Sequence, residues 1–231
     1  MTVQVGMLGS NGIVLASDTK WNREPLKTLE DSRDDYGSSK IKISDSRRIA
    51  VTCARDMLAA SFLASALMDG LKPEVWEDAE IPIRDIGCAA MATQRHLNVE
   101  CLVALAAPNP CLYMFQYANQ GTHVLSVRIS TRIHIGDSTN PAKYWSLRYY
   151  RRLPVKRLMR LAAQVVTDAH EMNTATVDGL EIVYCEHDSG FHRMSDRENR
   201  KLEATARGYS NDIGEMLLKQ VRLPSVSSNA P

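Results

Sequence analysis

Three polar residues in the first forty positions have the types and order that nucleophilic hydrolysis needs. Thr2 directly follows Met1. A small second residue lets methionine aminopeptidase remove Met1, and Thr2 then carries a hydroxyl nucleophile and a free α-amine together. An α-amine has an ordinary pKa of ~7.7–8.0, so it can accept the hydroxyl proton near neutrality without a histidine. Asp18 ends the next apolar run, and Lys40 opens a later one. A cation beside the hydroxyl lowers its pKa, and a carboxylate holds that cation in place. Taken singly, each has an ordinary reading: a common second residue, a strand-ending turn aspartate, a solvated edge lysine. The combination is what points to chemistry.

The elements around these residues explain how they could meet. Val3, Val5 and Met7 alternate with Gln4, Gly6 and Leu8, and Gly9-Ser10-Asn11-Gly12 reads as a tight turn. Residues 13–16 are continuously apolar and form the second strand of a hairpin, which returns Asp18 to the chain start. Residues 21–39 are polar, carry Glu30, Asp31, Asp34 and Asp35, and read as an exposed loop. Lys40-Ile41-Lys42-Ile43 and residues 49–53 are the next strands. A helix is predicted over 56–71, with Gly70 as its C-cap. Its apolar residues surround most of the circumference, so it is expected to be covered on more than one side, by core or by a neighbouring subunit. A second helix is predicted at 83–97, strands at 100–106, 112–117, 124–129 and 132–135, and helices at 141–151 and after Pro154. A strand pair at 180–185 and 191–194 and a helix from Ser195 close the chain. This alternation of blocks implies an α+β fold with helices outside two stacked sheets.

The chain has 231 residues, with 44% hydrophobic and 24% charged. That suits one core, and a single domain over 1–223 is expected, followed by a flexible Ser/Pro tail at 224–231. Lys plus Arg is 28 and Asp plus Glu is 27. A net charge of +1 argues against a dedicated nucleic-acid or membrane-surface binder. No apolar run is long enough to span a bilayer, and no signal peptide is legible. Cys53, Cys88, Cys101, Cys111 and Cys185 are scattered singly, which reads as reduced thiols in a cytoplasmic protein.

Two further signals compete with the hydrolase reading. Cys185, His187 and His192 flank a turn, but no CxxC or HExxH accompanies them, and no metal is expected. Arg148, Arg151, Arg152, Lys156, Arg157 and Arg160 form a basic run beside Tyr149 and Tyr150. It is the best case for nucleic acid, yet it reads better as the solvated end of one helix and the outer face of the next.

Thr2-x3-Gly6, Gly12-Ile13-Val14-Leu15-Ala16-Ser17-Asp18 and Lys40-Ile41-Lys42-Ile43 together resemble the β-type subunits of proteasomes and the bacterial HslV peptidase. Within that superfamily the chain looks most like the betaproteobacterial proteasome homologues. The resemblance implies a four-layer αββα sandwich, the N-terminal nucleophile (Ntn) hydrolase fold. It implies Thr2 as nucleophile with its α-amine as base, Lys40 as the tuning cation and Asp18 as its orienting partner. The matching oxyanion donor is the backbone N–H of Thr52, where the family usually has glycine. Asp137 stands where a serine is expected in Ile135-Gly136-Asp137-Ser138. Asn173 replaces an aspartate in Asn173-Thr174-Ala175-Thr176, with Thr176 completing that pair. The function implied is a threonine endopeptidase in a cytoplasmic double ring of about 12–14 subunits, about 14 favoured. It would act on unfolded proteins or peptides without a cofactor, and an ATP-dependent unfoldase is a candidate partner. The alternatives are an Ntn amidase on small amides and a non-catalytic ring-forming subunit.

Overall fold

The computed structural model describes residues 2–20, 39–94, 96–106, 109–137, 139–174, 177–187 and 189–219. Strands β1 (Val3–Leu8) and β2 (Gly12–Ser17) form the expected hairpin, in register from Gln4↔Ser17 to Leu8↔Ile13. The turn closes through Gly9 N–H on the Gly12 carbonyl at 2.7 Å. A Cβ on Gly12 would lie 1.9 Å from the Cys185 oxygen, so only glycine lets β2 approach its neighbour there. Asn11 at the hairpin tip accepts the Val155 N–H at 2.8 Å. That bond satisfies one of the donors left open at a helix N-terminus, and ties the hairpin to the start of α4 (Val155–Met172).

After the polar segment come β3 (Ile41–Ile43), β4 (Ile49–Arg55) and α1 (Met57–Gly70). Asp56 caps α1 by accepting the Ala59 N–H at 2.9 Å. A 3-10 turn (Pro73–Asp78) leads into α2 (Glu80–Met91). Strands β5 (Val99–Leu105), β6 (Cys111–Ala118), β7 (His123–Ile129) and β8 (Arg132–Gly136) follow. The chain then forms α3 (Lys143–Tyr149), α4, β9 (Glu181–Glu186), β10 (His192–Arg193) and α5 (Asp196–Lys219). One antiparallel sheet runs β10-β9-β2-β1-β8 and the other β3-β4-β5-β6-β7. The fold is therefore α+β, with two five-stranded sheets and five α-helices among the described residues.

Three apolar clusters hold these elements. Leu63, Leu67 and Ile83 of α1 and α2 pack with Val51, Val103 and Phe115 of the second sheet. Leu158, Val165 and Val166 of α4 pack with Val5, Met7 and Val14 of the first. The third cluster joins Leu8, Ile13 and Leu15 of the first sheet to Ile41, Leu102 and Leu112 of the second. All six β1 residues are buried because both of its faces are covered, and burying each large apolar side chain contributes about 1.5–3 kcal/mol. Gly6 permits this contact: a Cβ there would sit 2.9 Å from Leu112 Cδ2.

Some expectations need correction. The second helix begins at Glu80 rather than near Ile83, because Pro82 in the first turn has no N–H to lose. It ends at Met91, where successive turns at Ala92, Gln94 and Leu97 redirect the chain into β5. Gly70 is the last residue of α1 rather than a left-handed cap, and Leu71 follows in extended conformation. Gly70 serves packing instead, since a Cβ would come within 2.9 Å of Ile86 Cδ1 on α2. Of the two covers expected for helix α1, core or a neighbouring subunit, the chain's own core supplies one face, and Met57, Leu58 and Phe62 on the other are 42–56% exposed on the isolated chain. The expected loop at 21–39, apart from Ser39, and the tail at 224–231 lie outside the described residues.

A buried histidine gives the fold a measurable pH response. His134 of β8 is hydrogen bonded to Ser146 Oγ of α3. Burial, helped by Arg132 and Lys143, pushes its pKa from 6.5 to about 4. Between those values the unfolded chain takes up a proton that the folded chain refuses, so stability falls as pH falls through that window. The loss amounts to about 3 kcal/mol by pH 4. Urea unfolding at pH 7 and pH 4 should show wild type losing about that much more than His134→Gln; equal losses would contradict the assignment.

Candidate active site

Thr2 stands one residue ahead of β1, at the end of the sheet where β2 finishes and β3 of the other sheet begins. Its backbone is fixed first. The Thr2 carbonyl accepts the Asp137 N–H at 2.8 Å. Gly136, at φ 93°, makes that approach possible; a Cβ there would fall 2.0 Å from the Thr2 oxygen. The Gly136 N–H is held in turn by Glu100 Oε2 at 2.8 Å.

The hairpin brings Asp18 beside Thr2, as its register requires. Asp18 Oδ1 accepts the Val3 N–H at 2.9 Å and the Asp18 N–H reaches the Val3 carbonyl at 3.2 Å. Asp18 Oδ2 lies 2.6 Å from Lys40 Nζ, and the same Nζ lies 2.8 Å from Thr2 Oγ1. One ammonium thus bridges the carboxylate and the hydroxyl. Both charged side chains are fully shielded from solvent. Burial raises the Asp18 carboxyl above its ordinary 3.8, against the opposing pull of Lys40. Burial likewise holds the Lys40 ammonium below its ordinary 10.5, against the pull of Asp18. A desolvated cation acts more strongly on a neighbouring hydroxyl than a solvated one.

The remaining expected residues are placed less closely. Thr52 Oγ1 donates to the Lys40 carbonyl at 3.2 Å. In the β4–β5 ladder, Ala106 N–H meets the Arg48 carbonyl and Asp56 N–H meets that of Asn98, in continuous register with Thr52↔Leu102. Alternation along an antiparallel ladder therefore turns the Thr52 N–H toward Leu102. The peptide groups of Cys53 face the opposite way, toward Lys40, and its carbonyl accepts Gln4 Nε2 at 2.9 Å. Asp137 touches Thr2 through its backbone, while its carboxylate takes the Thr139 N–H and hydroxyl at 3.0 and 2.7 Å. Asn173 terminates α4 with its N–H on Ala169 and His170, and among the described residues its side chain makes no hydrogen bond to Thr2. Thr176 lies outside the described residues.

Sequence reasoning missed Glu100, Gln4 and Glu181. Glu181 had a signal: it is a carboxylate at the head of the apolar run 182–185, and its strand partner is Ser17, the residue before Asp18. Elsewhere, His187 bonds the Ser10 carbonyl and His192 lies against Tyr184, so they do not converge. No group of three His, Cys, Asp or Glu among the described residues is placed to hold a metal. The six cations of the basic run are all exposed. No described helix is long and apolar enough to cross a membrane.

No family model and no curated protein sequence matches the chain. Solved structures do match along nearly the whole length. The chain superposes on Anbu (ancestral beta-subunit) from Yersinia bercovieri with a TM-score of 0.70 at 16% identity, over 98% of this chain and 99% of that one. The Anbu complex from Pseudomonas aeruginosa, solved as a helical assembly, matches with 0.70 at 18% identity over 98% and 100%. Anbu from Hyphomicrobium sp. strain MC1 gives 0.67 at 15% over 97% and 99%. The chain has the fold of these proteins.

Proposed function

We propose that this protein is an N-terminal threonine peptidase with the four-layer αββα arrangement of Ntn hydrolases, related to proteasome β-type subunits. The observation that carries the reading is the buried Lys40 ammonium set between Thr2 Oγ1 and Asp18 Oδ2. With Met1 removed, the Thr2 α-amine takes the hydroxyl proton as Oγ attacks the peptide carbonyl carbon, and Lys40 offsets the charge developing on Oγ. The intermediate collapses by breaking the C–N bond, and the leaving amine receives the proton. The resulting ester on Thr2 is hydrolysed by a water that the same α-amine deprotonates. A backbone N–H on β4 stabilises the oxyanion. The Thr52 N–H faces β5 and is turned away from that role.

The exposed apolar face of α1 supports a homo-oligomer. Stacked rings enclosing the sites, unfolded or peptide substrates, and an unfoldase partner extend the same reading. The decisive experiment is mass spectrometry of the purified protein before and after a peptide epoxyketone. That warhead needs a hydroxyl and an adjacent free amine. The expected result is loss of Met1 followed by one adduct per chain, mapped to Thr2. Retained Met1 in a protein that cleaves peptides would refute the amine-base mechanism.

A further inference from the structure

Lys40 is the only member of the catalytic trio that the hairpin does not place. It stands just ahead of β3, a strand of three residues at the edge of its sheet. So short a strand gives its backbone little ladder support. A different group holds it. Glu181 Oε2 accepts the Lys40 N–H at 3.1 Å and lies 3.4 Å from the Ile41 N–H. Its other oxygen is bonded to the Ser39 hydroxyl and paired with the Arg193 guanidinium. Arg193 reaches past it to Ser39 Oγ and to the Ile41 carbonyl, the latter at 2.6 Å. Ser39 Oγ also joins the Ile41 carbonyl at 2.7 Å. The Glu181 side chain is 7% exposed and that of Arg193 37%, so the Glu181 bonds to the Lys40 and Ile41 amides work with little competition from water, while Arg193 closes the clamp from the solvent side.

We propose that Glu181 and Arg193 form a clamp across the two sheets that positions Lys40 for catalysis. Glu181 and Arg193 belong to β9 and β10 of the first sheet, whereas the peptides they grip open β3 of the second. Glu181 is also the register partner of Ser17, so the strand that positions Asp18 and the strand that carries the clamp are neighbours. The clamp therefore sets the Lys40 backbone relative to the same frame that sets Asp18 and Thr2. Neither residue touches Thr2 Oγ1; both act through Lys40 and are positioning residues. An arginine suits the second place because its planar fork grips two acceptors at once, which a lysine cannot do in one fixed geometry.

The inference rests on the peptidase reading for its catalytic consequence, but its structural core can be read without turnover. The test compares wild type, Glu181→Gln and Arg193→Ala in the full chain, in whatever assembly it forms. Each variant should keep its secondary structure and lower kcat by about a hundred-fold with KM changed less than about twofold, the signature of a misplaced catalytic group. Hydrogen exchange at the Lys40 and Ile41 amides should accelerate, and the Lys40 side-chain titration, followed by 13Cε NMR, should shift from its wild-type midpoint. Faster amide exchange with unchanged kcat and an unmoved Lys40 titration would overturn the proposal and leave a purely structural link. If wild type cleaves no peptide and takes no epoxyketone, the peptidase reading falls on its own. The Lys40 titration then decides the clamp: a shift in both variants supports it, and none overturns it.

Discussion

Thr2→Ala is expected to fold and assemble normally and to lose peptide hydrolysis by about 10^6-fold, the scale seen when a covalent hydrolase loses its nucleophile. The fold should tolerate the change. The backbone bonds that seat this residue, from Asp137 N–H to its carbonyl and from Val3 N–H to Asp18, do not involve its side chain. Among the described residues only the 2.8 Å bond to Lys40 Nζ is lost, and Lys40 keeps Asp18 as partner, so the stability cost is about 1 kcal/mol. Fluorogenic peptide cleavage and adduct mass after epoxyketone treatment provide the measurement. Thr2→Ser should retain both, because it keeps a hydroxyl beside the amine. A Thr2→Ala protein that cleaves at the wild-type rate would end the nucleophile assignment outright.

Removing Lys40 should have the next largest effect, and on two properties at once. Lys40→Met takes away the cation that supports the developing alkoxide, with an expected loss of about 10^3-fold in rate. It also leaves Asp18 buried without its counter-ion, which destabilises by about 3–5 kcal/mol. Pairing Lys40→Met with Asp18→Asn removes the stranded charge and should restore most of the stability while leaving the rate low. Denaturant melts beside single-turnover cleavage separate the two effects, and a double variant that recovers activity would contradict the role of the cation. The pH profile carries the same logic. The ammonium's pKa lies below 10.5, so protonated Lys40, and activity with it, is lost as pH rises through that lowered value. The Asp18 carboxyl lies above 3.8, so the pair is lost on the acid side earlier than an exposed aspartate would lose its charge. The working window is therefore narrower at both ends than ordinary side chains would give, and burial is the larger influence at each end.

Much of this site was legible in the order of residues. A tight turn between two apolar runs dictates that the residue closing the second returns to the start of the first. Thr2 and Asp18 therefore meet by local geometry alone, and the register Gln4↔Ser17 is its direct expression. Helix α4 was equally readable from its apolar periodicity after Pro154. Local pattern could not show which way a peptide faces in a ladder. That depends on pairing with β5, distant in sequence, and it turned the Thr52 N–H away from the site. Nor could it separate Gly70 as a helix stop from Gly70 as a packing contact, since the difference is the position of Ile86 on another helix. The placement of Lys40 is the clearest case. Its residue type was readable, but a three-residue edge strand does not fix a side chain to within hydrogen-bonding distance. Its position is set by Glu181 and Arg193, more than 140 residues away in sequence and on the other sheet. The sequence by itself determined that Thr2 and Asp18 meet at the candidate site, because hairpin closure is local. The tertiary structure decided how the cation is aimed, because that required two sheets to be packed together before any of its bonds could form.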